Sequence, residues 1–119
     1  MNKPTRVVLI DSAQEEYKKL NEIVGNQSKE GKDNTDEIKL LRSINQKRDF
    51  IIANPFYGDN IPKNLIPKEY NVQNLWRVEL VNFWRMFYTI KGDQIEIVCF
   101  VLDIIDHDEY NKKFGYKKK

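Results

Sequence analysis

Arg77, Glu79 and Arg85, in the second half of the chain, are of types that can hold an oxyanion or take a proton, and His107 and Tyr110 follow them. A guanidinium offers a planar fork of donors that can meet two oxygens of one phosphate. A carboxylate can take up a proton, and imidazole is the side-chain type suited to proton transfer near neutral pH. Each residue also has a plainer role open to it. Arg77, Glu79 and Arg85 would make an ordinary cross-strand ion-pair cluster. His107, between Asp106 and Asp108-Glu109, would be an exposed neighbour of a helix cap. Tyr110 would anchor a final helix in the core.

The elements that must position these groups lie within residues 74–110, where most of the aromatic and β-branched residues fall. Such residues suit a pleated, half-buried surface. Three antiparallel strands are expected here. Side chains alternate along a strand. Trp76, Val78 and Leu80 therefore share one face of the first strand, and Trp84, Met86, Tyr88 and Ile90 one face of the second. Both sets reach one core only if the loop between them has an odd number of residues, most simply Val81-Asn82-Phe83, with Leu80 opposite Trp84. Glu79 then falls opposite Arg85 on the other face, beside Arg77. Lys91-Gly92-Asp93-Gln94 reads as a hairpin with Gly-Asp as its two-residue loop. That register places Phe87 opposite Val98 and Arg85 opposite Phe100. The second face would then carry the charges beside an apolar strip of Phe87, Val98 and Phe100. A sheet apolar on both faces calls for cover on both.

Upstream, Arg6-Val7-Val8-Leu9-Ile10 reads as a strand. Asp11 or Ser12 is placed to cap the helix that follows, with Glu15 at capping-box spacing from Ser12. Ala13, Tyr17, Leu20 and Val24 share one face of that helix, which Gly25 or the Gly31 region ends. Thr35 is an N-cap for a second helix, with Ile38, Leu41, Ile44 or Asn45, Arg48 and Ile51-Ile52 at rougher helical spacing, stopped at Asn54-Pro55. Residues 55–72, punctuated by Pro62 and Pro67, are expected to be extended or irregular, with Phe56, Ile61, Leu65 and Ile66 sealing the sheet edge. A short helix holding Tyr110 and Phe114 closes the chain, and Gly115 ends it.

With 119 residues the chain suits one α+β domain, residues 1–119. Its net charge of +2 does not by itself point to nucleic acid. Lys112, Lys113, Lys117, Lys118 and Lys119 form a local cationic cluster, read as a solvated tail. The single cysteine, Cys99, lies inside a strand and reads as a small core residue. Nothing suggests a zinc site or another cofactor, no apolar run approaches the length of a membrane span, and the first residues lack a signal-peptide pattern. The expected compartment is the cytoplasm.

The order of strand, two antiparallel helices, three-stranded antiparallel meander and short C-terminal helix resembles the RelE/ParE superfamily of type II toxin–antitoxin toxins, in particular its ParE-like branch. The residues that carry the resemblance are Asn54-Pro55-Phe56-Tyr57-Gly58, Leu75-Trp76-Arg77-Val78-Glu79-Leu80, Trp84-Arg85-Met86-Phe87-Tyr88 and the run from Val101 through Asp106-His107-Asp108-Glu109-Tyr110. It implies a small toxin neutralised by a cognate antitoxin. RelE-like members inhibit translation as ribosome-dependent endoribonucleases that cut messenger RNA without a metal. They promote attack of a ribose 2′-hydroxyl on the adjacent phosphate, which needs a base, cations for the developing charge and an acid. On that resemblance Arg77 and Arg85 are the cationic positions, Glu79 stands where members carry lysine or a carboxylate, and His107 and Tyr110 supply acid and stacking groups. Phe87, Val98 and Phe100 would be a docking strip for an antitoxin helix. The related ParE toxins inhibit DNA gyrase, and a non-catalytic binding module on the same scaffold is a third reading. Classical RelE proteins are far more basic than this chain.

Overall fold

The computed structural model describes residues 3–115. Strand β1 (Thr5–Leu9) runs straight into helix α1 (Asp11–Lys29), and helix α2 (Asp36–Ala53) follows. A two-residue strand β2 (Asp59–Asn60) precedes β3 (Trp76–Glu79), β4 (Arg85–Gly92), β5 (Ile97–Ile105) and helix α3 (His107–Phe114). The architecture is α+β, with a five-stranded mixed sheet in the order β1-β5-β4-β3-β2. β1 is parallel to β5, and the remaining pairs are antiparallel. β2 and the parallel edge extend the expected meander on both sides.

The β3–β4 connection follows the parity argument. Residues 81–83 form the loop, Leu80 donates to the Trp84 carbonyl at 2.8 Å, and Glu79 pairs with Arg85. The tight turn places Asn82 and Phe83 at positive φ (56° and 64°). Trp76 and Trp84 both pack into the core beneath α1 and α2, with Val78, Leu80, Met86, Tyr88, Cys99 and Val101. Burial pushes the Cys99 thiol up to about 11, so this thiol is an inert core group.

The β4–β5 register differs from expectation. Gly92 pairs with Ile97, so residues 93–96 make the loop in place of Gly-Asp alone. The Asp93 carboxylate is the cause: its Oδ1 accepts from the Ile95 and Glu96 amides at 2.7 and 2.9 Å, closing a longer turn. Val98 therefore lies opposite Lys91 and Phe100 opposite Thr89, and both stay on the face of Phe87 because the slip is even. A bulge between Phe87 and Tyr88 then sets Phe87 against Asp103 and Arg85 against Ile105.

Other local departures have plain causes. Ile10 is still bonded into the sheet through its amide to the Val101 carbonyl, so α1 begins with Ile10 in the cap position and no capping box at Ser12 and Glu15. Asp11 takes up the sharp reversal at φ 49°, a conformation that short polar residues tolerate. α1 passes through Gly25, where no neighbour approaches, and the chain reverses at Gly31, φ 80°. α2 has its expected Thr35 cap, with Oγ1 accepting from the Ile38 amide at 3.1 Å. The residues after Pro62 and Pro67 each form a single 3-10 turn. Ile61 and Ile66 turn inward, whereas Phe56 (61%) and Leu65 (54%) remain exposed and do not seal the edge.

The second face of the sheet is covered by α3 and the segment 61–75. Ile61, Leu75, Phe87, Ile105 and Tyr110 form a separate small core. Phe87 is completely buried there, stacked between Tyr110, Phe114 and Tyr70 at centroid distances of 5.9, 4.9 and 6.2 Å.

Candidate functional site

Arg77 and Arg85 leave adjacent strands on the α3 face and converge on one phenol. The Arg77 Nη1 donates to the Tyr110 Oη at 2.9 Å, and its Nη2 donates to Asp59 Oδ2 at 3.2 Å. Asp59 sits opposite Arg77 because β2 pairs with β3 there. Burial works against the Arg77 charge, but the bonds to Tyr110 and Asp59 outweigh it and hold the guanidinium protonated beyond its ordinary value. The Arg85 guanidinium lies over the Tyr110 ring, 4.3 Å from its centroid. Its Nη1 donates to the Phe83 carbonyl at 2.7 Å and meets His107 Nδ1 at 3.3 Å. The loop 81–83 and the start of α3 thus aim Arg85 between them.

A guanidinium only donates, so His107 Nδ1 is the accepting nitrogen and the ring proton sits on Nε2. Asn111 lies 3.2 Å from Nε2, one helical turn on. α3 begins at His107 because Asp106 caps it, with Oδ1 accepting from the Glu109 amide at 2.9 Å. The cap fixes where the imidazole emerges.

Glu79 pairs with Arg85 across the strands, yet no ion pair joins them. Arg85 is turned towards α3 instead, and among the described residues the Glu79 carboxylate has no hydrogen-bond or ion-pair partner. Arg77 is balanced by Asp59. Arg85 has no carboxylate partner among the described residues, and the Nε of each arginine, shielded from solvent, donates to nothing there. The result is a partly desolvated positive charge beside an imidazole, with an acceptor across the next strand. This arrangement suits an oxyanion whose neighbouring atoms exchange protons.

A groove of about 300 Å³ adjoins Arg77 and is lined also by Lys47, Tyr57, Gly58, Asp59, Val78 and Glu79. Its floor is held by Tyr88, whose hydroxyl donates to the Pro55 carbonyl at 2.7 Å and accepts from the Gly58 amide at 3.0 Å. Burial, above all, pushes the Tyr88 phenol up to about 12. Gly58 is required here, since a Cβ would lie 2.9 Å from the Arg77 carbonyl oxygen.

The five expected site residues are therefore neighbours, with Glu79 reached through register rather than through a side-chain contact. Asp59, Asn111, Lys47 and Tyr57 escaped the sequence reading. Asn111 carried a signal in its spacing of four from His107. Asp59 carried none, because a two-residue strand has no periodicity. In the apolar strip, Phe87 is sealed under α3, while Val98 and Phe100 remain half-buried beside Arg6 and Val8 of β1. Of the lysine cluster, Lys113 is no solvated side chain. It reaches inward to Glu69 at 2.8 Å and to buried Asp103 at 3.5 Å, while Lys117, Lys118 and Lys119 lie outside the described residues. Among the described residues, no helix is long and apolar enough to cross a membrane. Comparison with family models, curated proteins and solved structures finds no match.

Proposed function

We propose that this chain is the toxin of a type II toxin–antitoxin pair and acts as a metal-independent endoribonuclease on messenger RNA at the ribosome. The observation that carries this reading is the position of Arg85. A guanidinium without a carboxylate partner stands between the unpaired Glu79 on β3 and His107 just beyond β5. The resemblance to RelE/ParE toxins supports the same assignment of roles.

In this mechanism the scissile phosphate takes the donors of Arg85, with Arg77 alongside. Glu79 takes the proton of the 2′-hydroxyl as its oxygen attacks phosphorus. The bond to the 5′-oxygen breaks, and His107, protonated on both ring nitrogens once Arg85 has turned its Nη1 from Nδ1 to the phosphate, supplies a proton to that leaving oxygen and is left as neutral imidazole. The products are a 2′,3′-cyclic phosphate and a free 5′-hydroxyl. Arg85 meets the charge that grows on the non-bridging oxygens, and Tyr110 holds both arginines in place. The half-buried Val98 and Phe100, beside Val8, give an antitoxin helix an apolar strip to cover.

The test is induced expression of the parent, Arg85→Ala and Arg85→Lys at equal levels, with messenger RNA cleavage and DNA supercoiling followed together. Arg85→Ala should lose roughly a hundred- to a thousandfold in cleavage, as for loss of one donor to a developing oxyanion. Arg85→Lys should recover part of it, since a point charge lacks the fork. If Arg85→Ala remains as toxic as the parent, the nuclease reading fails. Loss of supercoiling without RNA cleavage would favour a gyrase inhibitor.

A further inference from the structure

The groove beside Arg77 has a chemistry of its own. Tyr57 offers an exposed ring, backed by Phe50 at 5.2 Å between centroids. The Lys47 ammonium lies 5.4 and 5.7 Å from the Phe50 and Tyr57 ring centroids and donates to the Tyr57 hydroxyl at 3.3 Å. Lys47 and Arg77 supply positive charge to the groove, and Asp59 and Glu79 offset it. A polyanion drawn by charge alone would find little here. A flat aromatic group carrying one phosphate fits better: the ring stacks on Tyr57 and the phosphate meets Lys47.

We infer that this groove is the subsite for the nucleotide on the 5′ side of the scissile phosphate in single-stranded RNA, with its base on Tyr57 and its own 5′-phosphate at Lys47. The inference rests on the nuclease reading for its direction. Glu79 lines the groove, and in that reading Glu79 takes the 2′-hydroxyl proton, which belongs to this nucleotide. Arg77, on the same wall, joins the subsite to the phosphate held by Arg85. The stiffness of the site comes from Tyr88, which pins residues 55–58 through two hydrogen bonds.

The experiment measures binding of a fluorescent 2′-O-methyl RNA tetranucleotide, which cannot be cleaved, to the full chain. Tyr57→Ala should weaken binding roughly 5- to 100-fold, the range for loss of one stacking ring. Tyr57→Phe should bind as the parent does. Lys47→Ala should lower the slope of log affinity against log salt by about 0.7, the share of one single-strand phosphate. Binding by Tyr57→Ala as tight as the parent's, equal losses in Tyr57→Phe and Tyr57→Ala, an unchanged salt slope in Lys47→Ala, or a parent that does not bind the tetranucleotide would each overturn the subsite. Cleavage of messenger RNA on programmed ribosomes separates the two readings. A parent that cleaves with the same KM after Tyr57→Ala removes the subsite and keeps the nuclease. A parent that binds through Tyr57 but cleaves nothing removes the nuclease and keeps the RNA-binding groove.

Discussion

Tyr110 holds two arginines by different parts of itself, its hydroxyl on Arg77 and its ring face under Arg85. The two roles separate by substitution. Tyr110→Phe keeps the stack with Arg85, Phe87 and Phe114 and removes the oxygen that Arg77 uses. Arg77 is partly exposed and retains Asp59, so the cost in stability should be about 1 kcal/mol. Tyr110→Ala also empties a place in the small core and should cost about 3–5 kcal/mol. Urea denaturation of the two variants checks this, and equal losses would contradict the division. The sequence displayed the types and the strand parity that gather Arg77, Glu79 and Arg85. It did not display that Arg85 would turn from Glu79 to His107, because that choice depends on where the Asp106 cap starts α3 and on a bulge that no local pattern announces.

At the scale of elements, two short polar contacts decide geometry that hydrophobic patterning leaves open. Gly92-Asp93 has the composition of a two-residue turn, and the Asp93 carboxylate makes it a longer one. That carboxyl is held below its usual value of 3.8, chiefly by the Glu96 amide and then by that of Ile95. A depressed carboxyl stabilises the fold above its ordinary range, and that stabilisation is lost as pH falls through the lowered value. The Ile95 and Glu96 amide resonances should therefore move together below about pH 4, and Asp93→Asn should abolish that movement. The second contact fastens α3. Asp103, buried at the bulge, accepts from Tyr70 Oη at 2.9 Å and faces Lys113. Burial above all, and then Asp103, raises the Tyr70 phenol far above its ordinary value, so Tyr70 stays a donor throughout the working range. Lys113→Ala leaves the carboxylate with a neutral partner and should cost about 1–3 kcal/mol, with α3 amides exchanging faster than those of α2. Replacing Lys112, which is 4.0 Å from Glu109 on the surface, should cost little.

For the molecule as a whole, the two faces of the sheet are unequally covered. Two long helices close one face, whereas α3 and the segment 61–75 close the other only over Phe87 and Ile105. On the proposed toxin reading, Phe100→Asp should therefore leave thermal stability nearly unchanged yet weaken capture of an antitoxin at least tenfold, measured by calorimetry. Unchanged affinity would move the docking surface elsewhere. That Val78, Leu80, Met86 and Tyr88 would face one core was legible from alternation, whereas the sealing of Phe87 and the exposure of Phe56 and Leu65 were not. The parallel pairing of the first strand with the last had no sequence signal, since it joins Arg6 to Glu96 across 90 positions. That pairing has a consequence for synthesis. β1 is made before β5, its strand partner among the described residues, so the run Arg6-Val7-Val8-Leu9-Ile10 waits unpaired until residues 97–105 follow. Non-local closure of this kind is slow, and an apolar strand held open is prone to association. The delay also sets the order of events: His107 and Tyr110 emerge after β5, so the nascent chain carries no assembled site until its sheet has nearly closed, and on the proposed toxin reading an antitoxin made beforehand has that interval in which to arrive.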